Sequence, residues 1–166
     1  MERQGSFRHG IVALLPELRA FARFLTRDAS RADDLVQEAL VRAFASRGQF
    51  AADTNLKAWL FTILRNLFYE QARRRKRERE ILDEYGDQAL SLNAHDDASD
   101  ELSDLNNMLW KLPDAQREAL MLVGAQGMSY EEAAAICGVT VGTLRSRVFR
   151  GRRFLCELSG GWESVF

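Results

Sequence analysis

The stretch Ser129 to Arg153 reads SYEEAAAICGVTVGTLRSRVFRGRR, and its residues fall in the order a helix-turn-helix requires. Ser129 can cap a first helix, with Glu131 and Glu132 in the first turn, where the positive end of the helix dipole favours carboxylates. Ala133 and Ala134 are small enough for a second helix to cross closely. Gly138 supplies a residue able to take positive φ in a tight turn. Thr140 can then cap a second helix in which Leu144, Val148 and Leu155 fall within about 40° of one another, forming one apolar stripe. Arg145, Ser146, Arg150 and Arg153 point largely the other way. One face packs and the other meets phosphates and base edges, which is the arrangement of a recognition helix. For the arginines alone the alternative is a solvated basic helix; the cap, the small residues and the glycine turn in register favour DNA.

The charge pattern supports the same reading once the chain is divided. The 166 residues carry a net charge of only −1, unlike most DNA-binding proteins. Residues 1–82 hold 16 Lys/Arg against 10 Asp/Glu, a net +6; residues 83–104 hold 8 acidic residues and no basic one; residues 105–166 are +1. Five of the last segment's seven cations lie between Arg145 and Arg153. The near-neutral total therefore hides a basic lobe, an acidic connector and a lobe with one basic helix. No run of 18 apolar residues occurs, and the first residues show no signal-peptide pattern, so a cytoplasmic protein without a membrane span is expected. Cys137 and Cys156 lack metal-ligand spacing and are expected to be two buried free thiols.

Strand signals are absent: there is no sustained period-2 alternation and no Asn-Gly or Asp-Gly hairpin turn. Helical periodicity predicts helices from about Gly10 to Arg27, from Ser30 as cap to Ser46, and from Leu56 to about Arg79. In the second, Leu35, Ala39, Ala43, Val36, Leu40 and Phe44 turn inward. The loop Arg47 to Thr54 ends at Asn55, another good cap. From Asp83 to Asp104 the pattern collapses into a segment too acidic to bury apolar surface, expected to act as a flexible linker. Periodicity returns at about Leu102 to Lys111, and Pro113 opens a helix reaching about Gly124. The expected fold is all-α: a helical domain over 1–82, an acidic linker over 83–104, and a helix-turn-helix domain over 105–166.

The third helix combines a core stripe, Leu56, Leu60, Leu64 and Leu67, with Trp59, Phe61, Phe68 and Tyr69. These rings are interleaved with Lys57, Arg65 and Asn66, and the run Arg73-Arg74-Arg75-Lys76-Arg77 follows. Rings that stack on unpaired bases, beside cations that hold phosphates, suit single-stranded or melting nucleic acid. Trp59 and Phe61 taken alone read better as core. On the second helix Asp33, Asp34, Gln37, Glu38 and Val41 form a mixed acidic and apolar patch. It is either a docking face for a protein or the ordinary preference of carboxylates for a helix N-terminus. No glycine-rich phosphate loop, nucleophile elbow or HExxH occurs, and His9 and His95 have no evident partner, so catalysis is not expected.

Together these residues resemble the bacterial extracytoplasmic-function (ECF) sigma factors, two-lobed dissociable subunits of RNA polymerase. The resemblance runs from about Leu14 to Leu158. It rests on Asp34-Leu35-Val36-Gln37-Glu38-Ala39, Ala58-Trp59-Leu60 with Arg65-Asn66, Leu112-Pro113, Ser129-Tyr130-Glu131-Glu132-Ala133-Ala134, and Val141-Gly142-Thr143-Leu144-Arg145-Ser146-Arg147. Leu122-Val123-Gly124-Ala125 and Ala134-Ala135-Ile136-Cys137-Gly138 look like the EcfG-type general-stress group. That group is held inactive by a small NepR-like anti-sigma protein, which a phosphorylated response regulator removes.

The resemblance implies a region 2-like domain, a region 4-like domain, core RNA polymerase and promoter DNA as partners, and no cofactor or metal. Asp33, Asp34, Gln37, Glu38 and Val41 would dock on the polymerase. Phe50, Asn55, Lys57, Arg65, Asn66, Tyr69, Arg73 and Arg74 would meet the −10 element, with Phe50 and Asn66 at positions that hold a flipped base, so that melting rests on base capture. Thr140, Thr143, Arg145, Ser146, Arg147, Phe149, Arg150 and Arg153 would meet the −35 element, where Phe149 could touch a thymine methyl or pack against the preceding helix. The rivals are a stand-alone helix-turn-helix regulator, which would need a dimerisation helix, and a metal-dependent nuclease.

Overall fold

The computed structural model describes residues 2–51, 54–84 and 100–159. Every regular element among them is helical. The chain divides into two compact units, residues 1–96 and 97–166. Most of the 83–104 connector lies outside the described residues. Its ends are helical, because the third helix continues to Glu84 and the fourth begins at Asp100.

The first unit contains α1 (Glu2–Thr26), α2 (Ala29–Ala45), a 3₁₀ turn (Arg47–Gln49) and α3 (Leu56–Glu84). α1 starts well before the expected Gly10. Phe7 and Ile11 are buried and carry the stripe of Leu18, Phe21 and Ala22 one turn and more toward the N-terminus; the polar residues around them dilute the periodic signal. Pro16 lies within α1 on its exposed face, where the carbonyl that loses its helical donor is open to solvent rather than buried. α1 ends at Arg27, which takes a positive φ of 56°. The α2 cap is Asp28 rather than Ser30: its carboxylate accepts from the Arg31 N–H at 2.7 Å. Asp28 wins because Arg27 has already turned the chain, so its extended backbone lies one residue before the helix.

Three buried stripes meet in this unit. Leu18, Phe21 and Ala22 of α1, Leu35, Val36, Ala39 and Ala43 of α2, and Leu60, Phe61, Leu64 and Leu67 of α3 are all buried. Phe21 stacks on Phe61 with centroids 4.9 Å apart and planes inclined by 19°. Burial of a side chain of this size stabilises by about 1.5–3 kcal/mol. A second aromatic group gathers Phe50, Trp59, Phe7 and Phe44: Phe50 lies 5.2 Å from Trp59 and 5.7 Å from Phe7, and Phe7 meets Phe44 edge-on at 5.9 Å. Phe61 is core, as the sequence suggested, and Trp59 is half-buried against this cluster.

The second unit contains α4 (Asp100–Trp110), α5 (Asp114–Leu120) continued by one π turn (Met121–Ala125), α6 (Tyr130–Cys137) and α7 (Val141–Leu158). The π turn is closed by the Gln126 N–H donating to the Met121 carbonyl at 2.9 Å; the expected plain helix to Gly124 thus widens in its last turn. Arg117 anchors the α4–α5 corner: its guanidinium lies 3.7 Å from the Trp110 ring centroid, pairs with Asp114 and donates to the Leu112 carbonyl. Glu118 is the one buried charged residue among those described, a feature without a local sequence signal. Gly151 of α7 lies against Leu120, whose Cδ1 would be 2.7 Å from a Cβ there. Cys137 is buried as expected, but Cys156 is exposed, because its position on α7 lies about 100° round the helix from the stripe of Leu144, Val148 and Leu155.

Candidate polymerase and nucleic-acid interfaces

The helix-turn-helix forms as its residue types dictate. The Ser129 hydroxyl accepts from the Glu132 N–H at 3.0 Å, while the Glu132 carboxylate accepts from the Ser129 N–H at 2.9 Å, a complete capping box. Gly138 closes α6 with φ 67°, and the Thr140 hydroxyl accepts from the Thr143 N–H at 3.2 Å to start α7. Ala133 and Ala134 are buried, and Leu144, Val148, Gly151 and Leu155 form the packed stripe of α7.

The solvent face of α7 presents Thr143, Arg145, Phe149, Arg150 and Arg153, all exposed. Phe149 is 67% exposed, which excludes the reading in which it packs against the preceding helix. Thr140 and Thr143 are tied together as the cap, their hydroxyl oxygens 2.9 Å apart. Arg153 pairs with Glu157 at 2.9 Å. Ser146 is partly covered. Arg147 lies at the edge of the buried stripe and is half-buried, set about 70° from its centre at 100° per residue. Arg145 leans toward α6, with its Nη2 3.8 Å from Glu131 Oε1 and its guanidinium 5.5 Å from the Tyr130 ring. Neither Tyr130 nor Glu131 stood out in the sequence as more than part of a helix start.

On α3 the eight residues named for the −10 element separate into groups. Arg65, Asn66, Tyr69 and Arg73 share the face opposite Leu60, Leu64 and Leu67 by helical spacing, with Asn66 and Arg73 exposed. The Arg65 guanidinium lies 4.6 Å from the Tyr69 ring centroid, and Phe68 meets Tyr69 edge-on at 5.2 Å. Lys57 points elsewhere: it pairs with Glu17 of α1, with its ammonium 5.8 Å from the Phe61 ring. Arg74 faces the α2 side and pairs with Glu78 at 2.9 Å. Asn55 caps α3, its side-chain oxygen accepting from the Ala58 N–H at 3.2 Å. Phe50 sits in the aromatic group described above.

The α2 patch remains open to solvent. Asp33, Asp34, Gln37 and Val41 are exposed, Val41 by 68%. Phe44, expected to turn inward, is 43% exposed and extends the apolar part of this face. Glu38 is exposed too but engaged within the unit, accepting from Arg42 Nη2 at 3.0 Å and Gln71 Nε2 at 2.9 Å. Arg42 also reaches Glu70 of α3. That hydrogen bond, and then the charge behind it, holds the Glu70 carboxyl below its ordinary value and raises Arg42. Glu38, Arg42, Glu70, Gln71, Arg74, Arg75 and Glu78 line a cleft of about 340 Å³ along this α2–α3 seam. Farther along, burial and then the guanidiniums of Arg31 and Arg79 push Arg75 down, so cations crowd where the acid-base network ends. Among the described residues no cluster of His, Cys, Asp and Glu could hold a metal ion, and no helix is long and apolar enough to cross a membrane.

Comparison with known proteins accounts for both units. The Sigma-70 region 2 family matches residues 11–78, and the Sigma-70 region 4 family matches residues 102–155. The chain is 52% identical over 153 residues to the ECF RNA polymerase sigma factor EcfG of Rhodopseudomonas palustris, covering 92% of this chain and 84% of that one. It is 35% identical to the ECF RNA polymerase sigma factor SigC of Mycobacterium tuberculosis, covering 86% and 77%. Among solved structures, the sigma factor RpoE in complex with the anti-sigma factor NepR from Bartonella quintana matches with a TM-score of 0.79 and 45% identity, over 93% of this chain and 97% of that chain. A helix-turn-helix unit and a basic-aromatic helical unit, each matched in order by its own sigma region, identify the chain as a member of the ECF sigma factors of RNA polymerase, which act in transcription initiation.

Proposed function

We propose that this chain is an EcfG-type sigma factor of a stress response, without catalytic activity of its own, acting in the cytoplasm. Three surfaces divide the work. The α2 face of Asp33, Asp34, Gln37, Glu38 and Val41, with Phe44 beside it, docks on core polymerase. The α3 face of Arg65, Asn66, Tyr69 and Arg73 meets the −10 element, with Phe50 and Asn55 ahead of the helix and Lys57 and Arg74 reaching the DNA from its flanks. The α7 face of Arg145, Ser146, Phe149, Arg150 and Arg153, flanked by Thr140, Thr143 and Arg147, reads the −35 element. The domains run over 1–82 and 105–166, with the acidic linker between them.

The observation that carries this reading is the solvent face of α7, where guanidiniums and one exposed ring stand opposite a fully buried stripe. Cations there neutralise phosphates, and side chains near the helix start reach base edges. On α3, an amide and a ring between two arginines suit an unstacked base held against its phosphates. Opening then requires no bond to be made or broken: capture of the extruded base offsets its unstacking, which costs a few kcal/mol. Likeness to a sigma factor crystallised with NepR supports regulation by a small NepR-like anti-sigma protein.

Reconstitution with core polymerase and a promoter library tests the proposal. Transcription confined to promoters sharing two elements is the expected result. Transcription without sequence preference, or no complex with core polymerase of the same host, would overturn it.

A further inference from the structure

We infer that Glu131 and Tyr130, on the first turn of α6, are positioning residues that aim Arg145 at one base pair of the −35 element. This inference rests on the reading of α7 as the recognition helix and adds to it a source of specificity outside that helix.

Arg145 is held from two sides. The Tyr130 ring lies 5.5 Å from its guanidinium, and Glu131 Oε1 lies 3.8 Å from Nη2. Both come from the first turn of α6, which the Ser129–Glu132 capping box ties down. On the far side Gly138 at φ 67° sets the turn, and Thr140 caps α7 five residues before Arg145. The two neighbours therefore restrict a long side chain that would otherwise sample many rotamers.

The geometry leaves Arg145 able to read. At 3.8 Å the Glu131 carboxylate attracts the guanidinium without accepting a hydrogen bond, which requires a shorter approach. The N–H fork stays available for the O6 and N7 acceptors of a guanine, the commonest specific contact of arginine in a major groove. Stabilisation does not explain the arrangement. The two side chains are 63% and 66% exposed, and exposed pairs contribute little to folding. Orientation is what remains: a fork already turned loses less freedom when it meets its base.

The test uses the full chain with core polymerase, scoring the four base pairs at each −35 position in turn. Arg145→Ala should relax choice at one position by about tenfold or more. Glu131→Gln and Tyr130→Leu should each relax the same position by about two- to fivefold, while Tyr130→Phe, which keeps the ring, retains the choice. In the Arg145→Ala background neither change should have further effect at that position. If Arg145→Ala relaxes a position that Glu131→Gln and Tyr130→Leu leave untouched, the positioning role is wrong and the recognition helix stands. If Arg145→Ala changes no position, both fail. Tighter binding of Glu131→Gln to every −35 sequence alike would show that Glu131 only repels phosphates, and would also overturn the inference.

Discussion

Arg42 of α2 donates to both carboxylate oxygens of Glu70 on α3, at 2.7 and 3.2 Å, and at the same time holds Glu38 at 3.0 Å. One guanidinium thus links the helix proposed to dock on polymerase to the helix proposed to meet the −10 DNA. Glu38, one of the proposed docking residues, is oriented by Arg42 and Gln71 before any partner arrives.

The pair has a pH signature. Its hydrogen bond lowers the Glu70 carboxyl in the folded chain. The interaction is therefore fully present above the ordinary carboxylate pKa, about 4.3, and is lost as pH falls through the lowered folded value. Titration followed by carbon NMR should place Glu70 below that ordinary value. In Arg42→Ala the Glu70 titration should move up toward it; an unmoved titration would show that Arg42 is not the cause.

Two glycines of α7 should respond oppositely to alanine. Gly142 has nothing within 4 Å of its would-be Cβ, so Gly142→Ala should raise the stability of the second unit by about 0.5–1 kcal/mol through helix propensity. Gly151→Ala would place a Cβ 2.7 Å from Leu120 Cδ1 and 3.1 Å from its Cγ. Strain of about 1–3 kcal/mol should exceed the propensity gain, lowering the denaturation midpoint.

Phe21→Ala removes a fully buried ring that stacks on Phe61. It should cost about 3–5 kcal/mol by the cavity it leaves, measured by denaturant unfolding. A loss below about 1 kcal/mol would mean that the three-stripe core rearranges.

Asn66→Ala should impair promoter opening while leaving assembly with core polymerase intact, because Asn66 is exposed on the α3 face and makes no hydrogen bond or ion pair among the described residues. Val41→Asp, on the α2 face, should do the reverse and weaken assembly. Permanganate reactivity of unpaired thymines and a core-binding titration separate the two effects.

Local chemistry made much of this legible in the sequence. Ser129, Thr140 and Asn55 cap as their residue types suggest, since the cap is decided within three residues. The stripes of α3 and α7 follow from spacing alone. What depends on partners distant in the chain was not legible. Glu70 and Arg42 are 28 residues apart, and Lys57 of α3 finds Glu17 on α1. Asp28 displaced Ser30 as a cap because Arg27 adopts positive φ, a conformation no arginine announces. Phe44 and Cys156 have the apolar character of inward residues, yet the packed faces are filled by others.

In the proposed function, two helical units grip separate promoter elements only while polymerase sets their separation. The most direct test is transcription by the reconstituted enzyme from one promoter whose two elements are moved apart by about half a helical turn, roughly 5 base pairs. Activity should collapse at half a turn, while the isolated chain binds each spacing equally weakly. Activity indifferent to spacing, or tight binding of the isolated chain as a symmetric pair, would mean that polymerase does not set the separation.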